Sequence, residues 1–539
     1  MPSLTHWLRS PRGSRLHRVN RIIVICVVAI LQLAGCHRAP SSAEAVTAGG
    51  IAWFQGSIDE AFAAAAGQQK LVFLYWGAEW CPPCHDLKAH VFSRRDFQEK
   101  LRQFVPVYLD GDAPGAQRAG EQFQVLGYPT ALVLDADRQE IARIAGGGDL
   151  GSYADVLDLA LENVRPLSAV MAGLQADHSM TLSEADCRRL AWNGWGLDTR
   201  EDPAVLSATL QLAAARCPDS AIAERDRLTL TAADLAASGE REAIEAGRPP
   251  SARLGALLDA VNTLLADHKR ALQSGDALLS MGDDYFVVAR LARPDQVAAL
   301  QANWFAVMDA IENDARYGDG TRLASAASRL QAAKSLDKDG RIAEAVAAKA
   351  RATLDTYLAR DYDVDTRSGV VNSAEWVLTY LDDNARLRTL LEEQIRTSKT
   401  PFYYMADLAD LEEEEGHSAQ ALDLLERAYR TSTGPATRFQ WGALYAQGLL
   451  RMSPGDKGRI RAAMFDVLGE LAGPDRIHAR ARSRLDKLDA ALGEWAGATH
   501  NAATLREVAA QWQKICAQLP EADPMRGECP ALVGAAAKG

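Results

Sequence analysis

Beyond residue 36 the sequence has no apolar run long enough to cross a bilayer, which takes roughly 20 residues, so the body of the chain is not membrane-spanning by this reading. It also lacks a basic, aromatic-studded stripe. The formal net charge is −12, and residues 1–35 carry five Arg and no acid, which leaves about −12 − 5 = −17 on the remainder. Such a surface repels phosphate backbones, so nucleic acid is excluded as a partner. There is no Gly-x-Ser-x-Gly, no His-Glu-x-x-His, no second Cys-x-x-Cys and no His-x3-His. Gly146-Gly147-Gly148 has neither the spacing nor the Lys of a phosphate loop. Asp361-x-Asp363-x-Asp365 opens like a calcium loop, but Thr366 and Asn372 stand where Gly and Glu are required. Metal binding is therefore the weaker reading of every candidate.

What is present divides the chain. Its 539 residues exceed what one core usually serves, so two or more domains are expected. Arg9, Arg12, Arg15, Arg18 and Arg21 precede an apolar run from Ile22 to Leu33, followed at once by Leu33-Ala34-Gly35-Cys36. That order resembles the signal and lipobox of bacterial lipoproteins. The resemblance implies removal of residues 1–35, acylation of Cys36 and a periplasmic protein anchored to the membrane through lipid alone. His37, in place of an Asp after the cysteine, points to the outer membrane. Residues 36–50 read as a small, polar tether.

Eight cysteines stand at 26, 36, 81, 84, 187, 217, 516 and 529. Setting aside Cys26 and Cys36 leaves an even number, as suits an oxidising compartment. Cys81 and Cys84 pair by motif. The parsimonious remainder is two local structural disulfides, Cys187 with Cys217 and Cys516 with Cys529, with free buried thiols as the alternative.

Residues 51–165 read as one α/β domain. Ser57-x-x-Glu60 has capping-box spacing and opens a helix ending near Gly67. Leu71–Trp76 is a strand buried on both faces. A helix runs from Cys81 to about Val91, and Ser93 caps another reaching Gln103. Strand Phe104–Leu109, helix Ala116–Gln124 and a turn at Gly127–Thr130 follow. Strands Ala131–Leu134 and Glu140–Ile144 then precede a helix from about Leu150 to Asn163. From 166 to 539 the strand-like runs almost vanish. Leu408, Gly416, Ala421, Ala428 and Pro435 resemble a tetratricopeptide repeat, so an irregular helical-repeat domain is expected, with repeat character near 400–450.

Trp80-Cys81-Pro82-Pro83-Cys84 carries the chemistry. A thiolate is the nucleophile in disulfide exchange, and a helix N-terminus favours the anion at Cys81. Cys84, one turn along, can resolve the mixed disulfide. With Gly77–Trp80 after a buried strand and Tyr128-Pro129-Thr130 about 45 residues on, the stretch resembles the thioredoxin superfamily. Cys84–Ser93 and Val125–Thr130 sharpen this to the C-terminal domain of DsbD-type thiol:disulfide interchange proteins, over about residues 50–163. The resemblance implies that Cys81 attacks, Cys84 resolves, Pro129 is cis, Tyr128 binds a substrate segment and Trp80 flanks the sulfur.

Two departures stand out. Tyr75 and Lys88 occupy positions where the relatives carry acids, which predicts a more acidic Cys81 thiol; Glu79 is the candidate substitute proton relay. His85 is expected to face solvent. The resulting expectation is a protein-disulfide reductase needing no cofactor beyond the Cys81–Cys84 disulfide, with exported proteins and a redox partner protein as its partners. The alternative is an interaction scaffold whose helical domain binds partners and whose α/β domain is a docking or redox-sensing module.

Overall fold

The computed structural model describes residues 47, 48, 50–113, 115–125, 127–145, 150–162, 166–195, 202–531 and 533. The leader, Cys36, nearly all of the 36–50 tether and Gly146–Gly148 lie outside them.

A short hairpin, β1 (Thr47–Ala48) with β2 (Ile51–Ala52), leads into α1 (Ile58–Gln68). The Ser57–Glu60 capping box forms: the Ser57 hydroxyl accepts from the Glu60 N–H at 3.2 Å, and the Glu60 carboxylate accepts from the Ser57 N–H at 2.7 Å. Then come β3 (Leu71–Gly77), α2 (Pro82–Leu87), a π turn (Lys88–Phe92), α3 (Arg95–Leu101), β4 (Phe104–Asp110), α4 (Ala116–Gln122), β5 (Thr130–Leu134), β6 (Glu140–Ala145) and α5 (Leu150–Glu162). The sheet order is β4-β3-β5-β6, with β3 parallel to β4 and the other pairs antiparallel.

Strand β3 is central, and its period of two divides its side chains between two cores. Phe73 and Tyr75 join Trp53, Phe92 and Tyr153 on one face; Val72, Leu74 and Trp76 join Phe62, Phe123 and Leu132 on the other. The helix expected from 81 to about 91 runs without a break from Pro82 to Phe92, its last five residues in the π turn. The π turn, wider than an α turn, brings both Val91 and Phe92 into the aromatic core, where Phe92 meets Tyr75 edge-on at 4.8 Å. Ser93 does not cap α3, because its hydroxyl donates back to the Ala89 carbonyl at 2.5 Å.

The rest of the chain is helical: α6 (Leu167–Ala176), α7 (Glu184–Trp192), α8 (Pro203–Arg216), α9 (Ile222–Glu245), α10 (Ala252–Ala266), α11 (His268–Ala271), α12 (Gly275–Leu279), α13 (Asp283–Ala292), α14 (Val297–Glu312) and α15 (Asp319–Leu336). After these come α16 (Glu344–Leu358), α17 (Val364–Tyr380), α18 (Asn384–Thr397), α19 (Pro401–Glu414), α20 (Ser418–Thr431), α21 (Pro435–Met452), α22 (Lys457–Gly469), α23 (Ala479–Ala498) and α24 (Ala502–Ala517). Among the described residues no helix is long and apolar enough to cross a membrane.

This region has two apolar cores, one built from residues 167–317 and the other from residue 323 onward, and α15 contributes to both. The first lies behind the α/β domain, where the Gly194 N–H donates to the Arg143 carbonyl at 2.9 Å and α7 packs on α5. The second returns to the front, where α17 crosses α2. Each core holds a disulfide, Cys187–Cys217 in the first and Cys516–Cys529 in the second. Replacing Cys187 and Cys217 with Ser is expected to cost about 3–4 kcal/mol in the chain-entropy model. Calorimetry should show the transition of that core falling by roughly 7–14 °C.

Candidate functional site

The backbone sets up the reactive end. Cys81 is the N-cap of α2, with Pro82 at the first helical position, where no N–H partner is lost. The Cys84 N–H donates to Cys81 Sγ at 3.2 Å, and the two sulfurs are bonded to each other. The Cys84 N–H, which also donates to the Cys81 carbonyl at 3.0 Å, is aimed at the sulfur and favours a thiolate there once that bond is reduced.

Opposite lies the turn before β5, whose Tyr128–Pro129 peptide bond is cis. Trp80 meets the Tyr128 ring edge-on at 5.4 Å, and Trp76 lies 4.7 Å from it on the other side. Gln117 Nε2 donates to the Tyr128 hydroxyl at 2.7 Å and to the Gly111 carbonyl at 2.6 Å. Gly111 leaves room for that hydroxyl, which any Cβ there would strike. Cys81, Cys84, Trp80, Tyr128 and Pro129 are thus brought to one end of the sheet; the other four paired cysteines are elsewhere.

The acids are arranged differently from the sequence expectation. Glu79 is exposed, and only its backbone carbonyl is engaged, accepting from His85 Nε2 at 2.7 Å. The half-buried carboxyl nearby is Asp110, which pairs with Gly77 across β3 and β4 and so shares a sheet face with Tyr75 and Tyr108. Burial raises its pKa above the ordinary 3.8; the Asp112 N–H opposes this, and the neighbouring Asp112 and Glu79 charges add to it. Lys88 is close enough to act on Asp110 in the opposite sense, with its ammonium 5.7 Å from the centre of the Tyr108 ring. Burial also pushes the Tyr75 hydroxyl well above 10, where the relatives' acid would stand. Sequence reasoning missed Asp110 because its only signal is strand register.

His85 does not face solvent. Its side chain is 19 % exposed, and Nδ1 lies 2.6 Å from Asp365 Oδ1 of the helical region. Asp363 caps α17 through the N–H groups of Asp365 and Thr366, so two acids of the 361–365 triplet serve a helix start and a hydrogen bond to His85. The tightest carboxylate–histidine cluster among the described residues is Glu412, Glu415 and His417. Arg388 donates to both of its carboxylates, which answers their charge.

Residues 58–160 match the family model described as a thioredoxin-like domain. The N-terminal α/β domain is thioredoxin-like. Relatives include the thiol:disulfide interchange protein DsbD of Yersinia pestis, 33% identical over 93 residues, and that of Actinobacillus pleuropneumoniae serotype 5b, 30% identical over 93 residues. In both, the match covers 16% of this chain and 16% of the relative, so the chain spans about a sixth of the length of these relatives. A thioredoxin from Thermus thermophilus, 23% identical, aligns over 24% of this chain and 93% of its own, with a TM-score of 0.19. A thioredoxin-like domain is thus followed by a long all-helical region, and its Cys81–Cys84 disulfide has the Cys-x-x-Cys spacing.

Proposed function

We propose that this is a periplasmic, lipid-anchored thiol–disulfide oxidoreductase that reduces exported proteins. The observation that carries the reading is Cys81 at the N-cap of α2, its sulfur bonded to Cys84 and accepting the Cys84 N–H, inside a thioredoxin-like domain. In the reduced enzyme the Cys81 thiolate attacks one sulfur of a substrate disulfide. A mixed disulfide forms, and the other substrate sulfur leaves as a thiolate that takes up a proton. Cys84, having lost its proton, then attacks Cys81 Sγ. The Cys81–Cys84 bond closes, the second substrate thiol departs, and two electrons have passed to the substrate. A partner dithiol must return the pair to the reduced form. Lipid attachment at Cys36, with 1–35 as leader and 36–50 as tether, rests on the order of basic stretch, apolar run and lipobox.

The helical region is assigned the recruitment of clients or of the redox partner. Pro401 and Pro435 each open a helix and are 34 residues apart (435 − 401), the tetratricopeptide period, which supports repeat character there.

One observation favours the scaffold reading instead: Cys81 and Cys84 are each 0 % exposed. A Cys84→Ala variant decides between them. The oxidoreductase accumulates a Cys81 mixed disulfide with client proteins, and the wild type reduces insulin in the presence of a dithiol. A scaffold does neither.

A further inference from the structure

The sulfurs are buried because the chain covers its own site. Ala78, Trp80, Cys81 and Cys84, with Tyr128 at the edge, belong to the apolar core otherwise built from residue 323 onward. Glycines make the close approach: Gly369 of α17 rests on Asp86, where a Cβ would come within 2.8 Å of the carboxylate, and Gly318 leaves room for the His90 ring at 3.1 Å.

Ion pairs of Arg118 with Asp475 and of Arg482 with Glu121 also cross between the two regions, and two further polar fastenings flank the contact over the sulfurs. On one side His85 is bound to Asp365. On the other, Asp112 caps a helix belonging to the other region. One Asp112 oxygen accepts from the Ala436 and Thr437 N–H groups at 3.1 and 2.9 Å; the other accepts from the Thr437 hydroxyl and from Trp80 Nε1, the latter at 3.4 Å. No side chain of its own caps α21. Gly434, at φ +87°, leaves the space the Asp112 carboxylate fills, and a methyl there would strike it.

The geometry points to a latched cover: α17 and the N-terminus of α21 sit on the Cys81–Cys84 disulfide, Asp112 and Asp365 hold them there, and a client or redox partner gains the sulfurs only when the cover lifts. The α/β domain gives the shared apolar core four buried residues with Tyr128 at their edge, and polar contacts complete the hold, as at reversible domain interfaces. Asp112 binds the indole beside Cys81 as well as the foreign helix, so one carboxylate joins the latch to the residue that flanks the sulfur. The biological meaning rests on the oxidoreductase reading, but accessibility is measured without turnover.

The test uses the full oxidised chain. Dithiothreitol and, separately, reduced thioredoxin are added. Each donates two electrons and two protons to a disulfide and is itself closed to one. Free thiols are alkylated with time and mapped by mass spectrometry. In the wild type, thioredoxin reduces Cys81–Cys84 far more slowly, relative to dithiothreitol, than it reduces an open disulfide peptide. Asp112→Ala and Asp365→Ala each accelerate that reduction by about tenfold or more, as loss of charge-assisted hydrogen bonds implies. Cys187–Cys217 and Cys516–Cys529 keep their wild-type rates as internal standards. Variant rates within twofold of wild type overturn the proposal. So does acceleration of all three disulfides together, which would mean that these carboxylates hold the fold rather than a cover. Failure of insulin reduction with the accelerations intact would reject the oxidoreductase reading alone.

Discussion

Cys81→Ala is expected to lower the rate of disulfide exchange on a protein substrate by about 10³-fold or more, since the variant lacks the attacking sulfur. Cys187, Cys217, Cys516 and Cys529 do not take its place, being bonded in pairs outside the α/β domain, and the Cys84 thiol that the substitution frees lies buried inside α2 rather than at its N-cap. Cys84→Ala behaves differently. It retains the nucleophile at the N-cap and completes the first attack, so a single-turnover experiment shows a burst of mixed disulfide and then no release. Comparing burst amplitude with steady-state rate for the two variants separates attack from resolution. Equal steady-state rates for Cys81→Ala and wild type would remove the assignment of Cys81.

The second large effect concerns pH. His478 is 7 % exposed and caps α23, its Nδ1 accepting from the Ala481 N–H at 3.3 Å, which requires that nitrogen unprotonated. Burial, then the charges of Arg480, Arg484, Arg482 and Arg118, hold its pKa down to about 3, against an ordinary 6.5. A histidine depressed on folding contributes stability that is present above 6.5 and lost as pH falls toward 3. Between pH 7 and pH 5 the loss is about 2 kcal/mol, or roughly 4–8 °C in the transition of the second helical core. His478→Asn keeps a capping side chain and removes the titration, so its melting temperature should vary less over this interval. Parallel curves for variant and wild type would refute the assignment.

The features that were legible in the sequence are local ones. The Ser57–Glu60 box, the all-apolar Leu71–Trp76 strand and the turn before Thr130 each declare themselves within a few residues, and the thioredoxin-like sheet follows from them. The covering of the site was not legible. Asp112 and Asp365 meet partners 325 and 280 residues away, and contacts at that range leave no periodicity to read. Asp365 was visible only as part of an acidic triplet, and Gly434 and Gly369 as ordinary glycines. Arg480, whose guanidinium lies 4.3 Å from the centre of the Tyr128 ring, belongs to no motif that sets it apart from the arginines beside it in sequence. The division of the helical region into two cores was equally hidden, since α15 serves both and no linker marks the boundary.

The shared cap on α21 also has a consequence in time. Asp112 precedes Ala436 by 324 residues. An exported chain crosses the membrane N-terminus first, so the α/β domain can fold before α21 arrives. When α21 emerges, the carboxylate that stabilises its first turn is already in place on a finished surface. A helix that borrows its start in this way is weakest in any chain whose first domain has failed to fold, so assembly of the far end depends on the success of the near one.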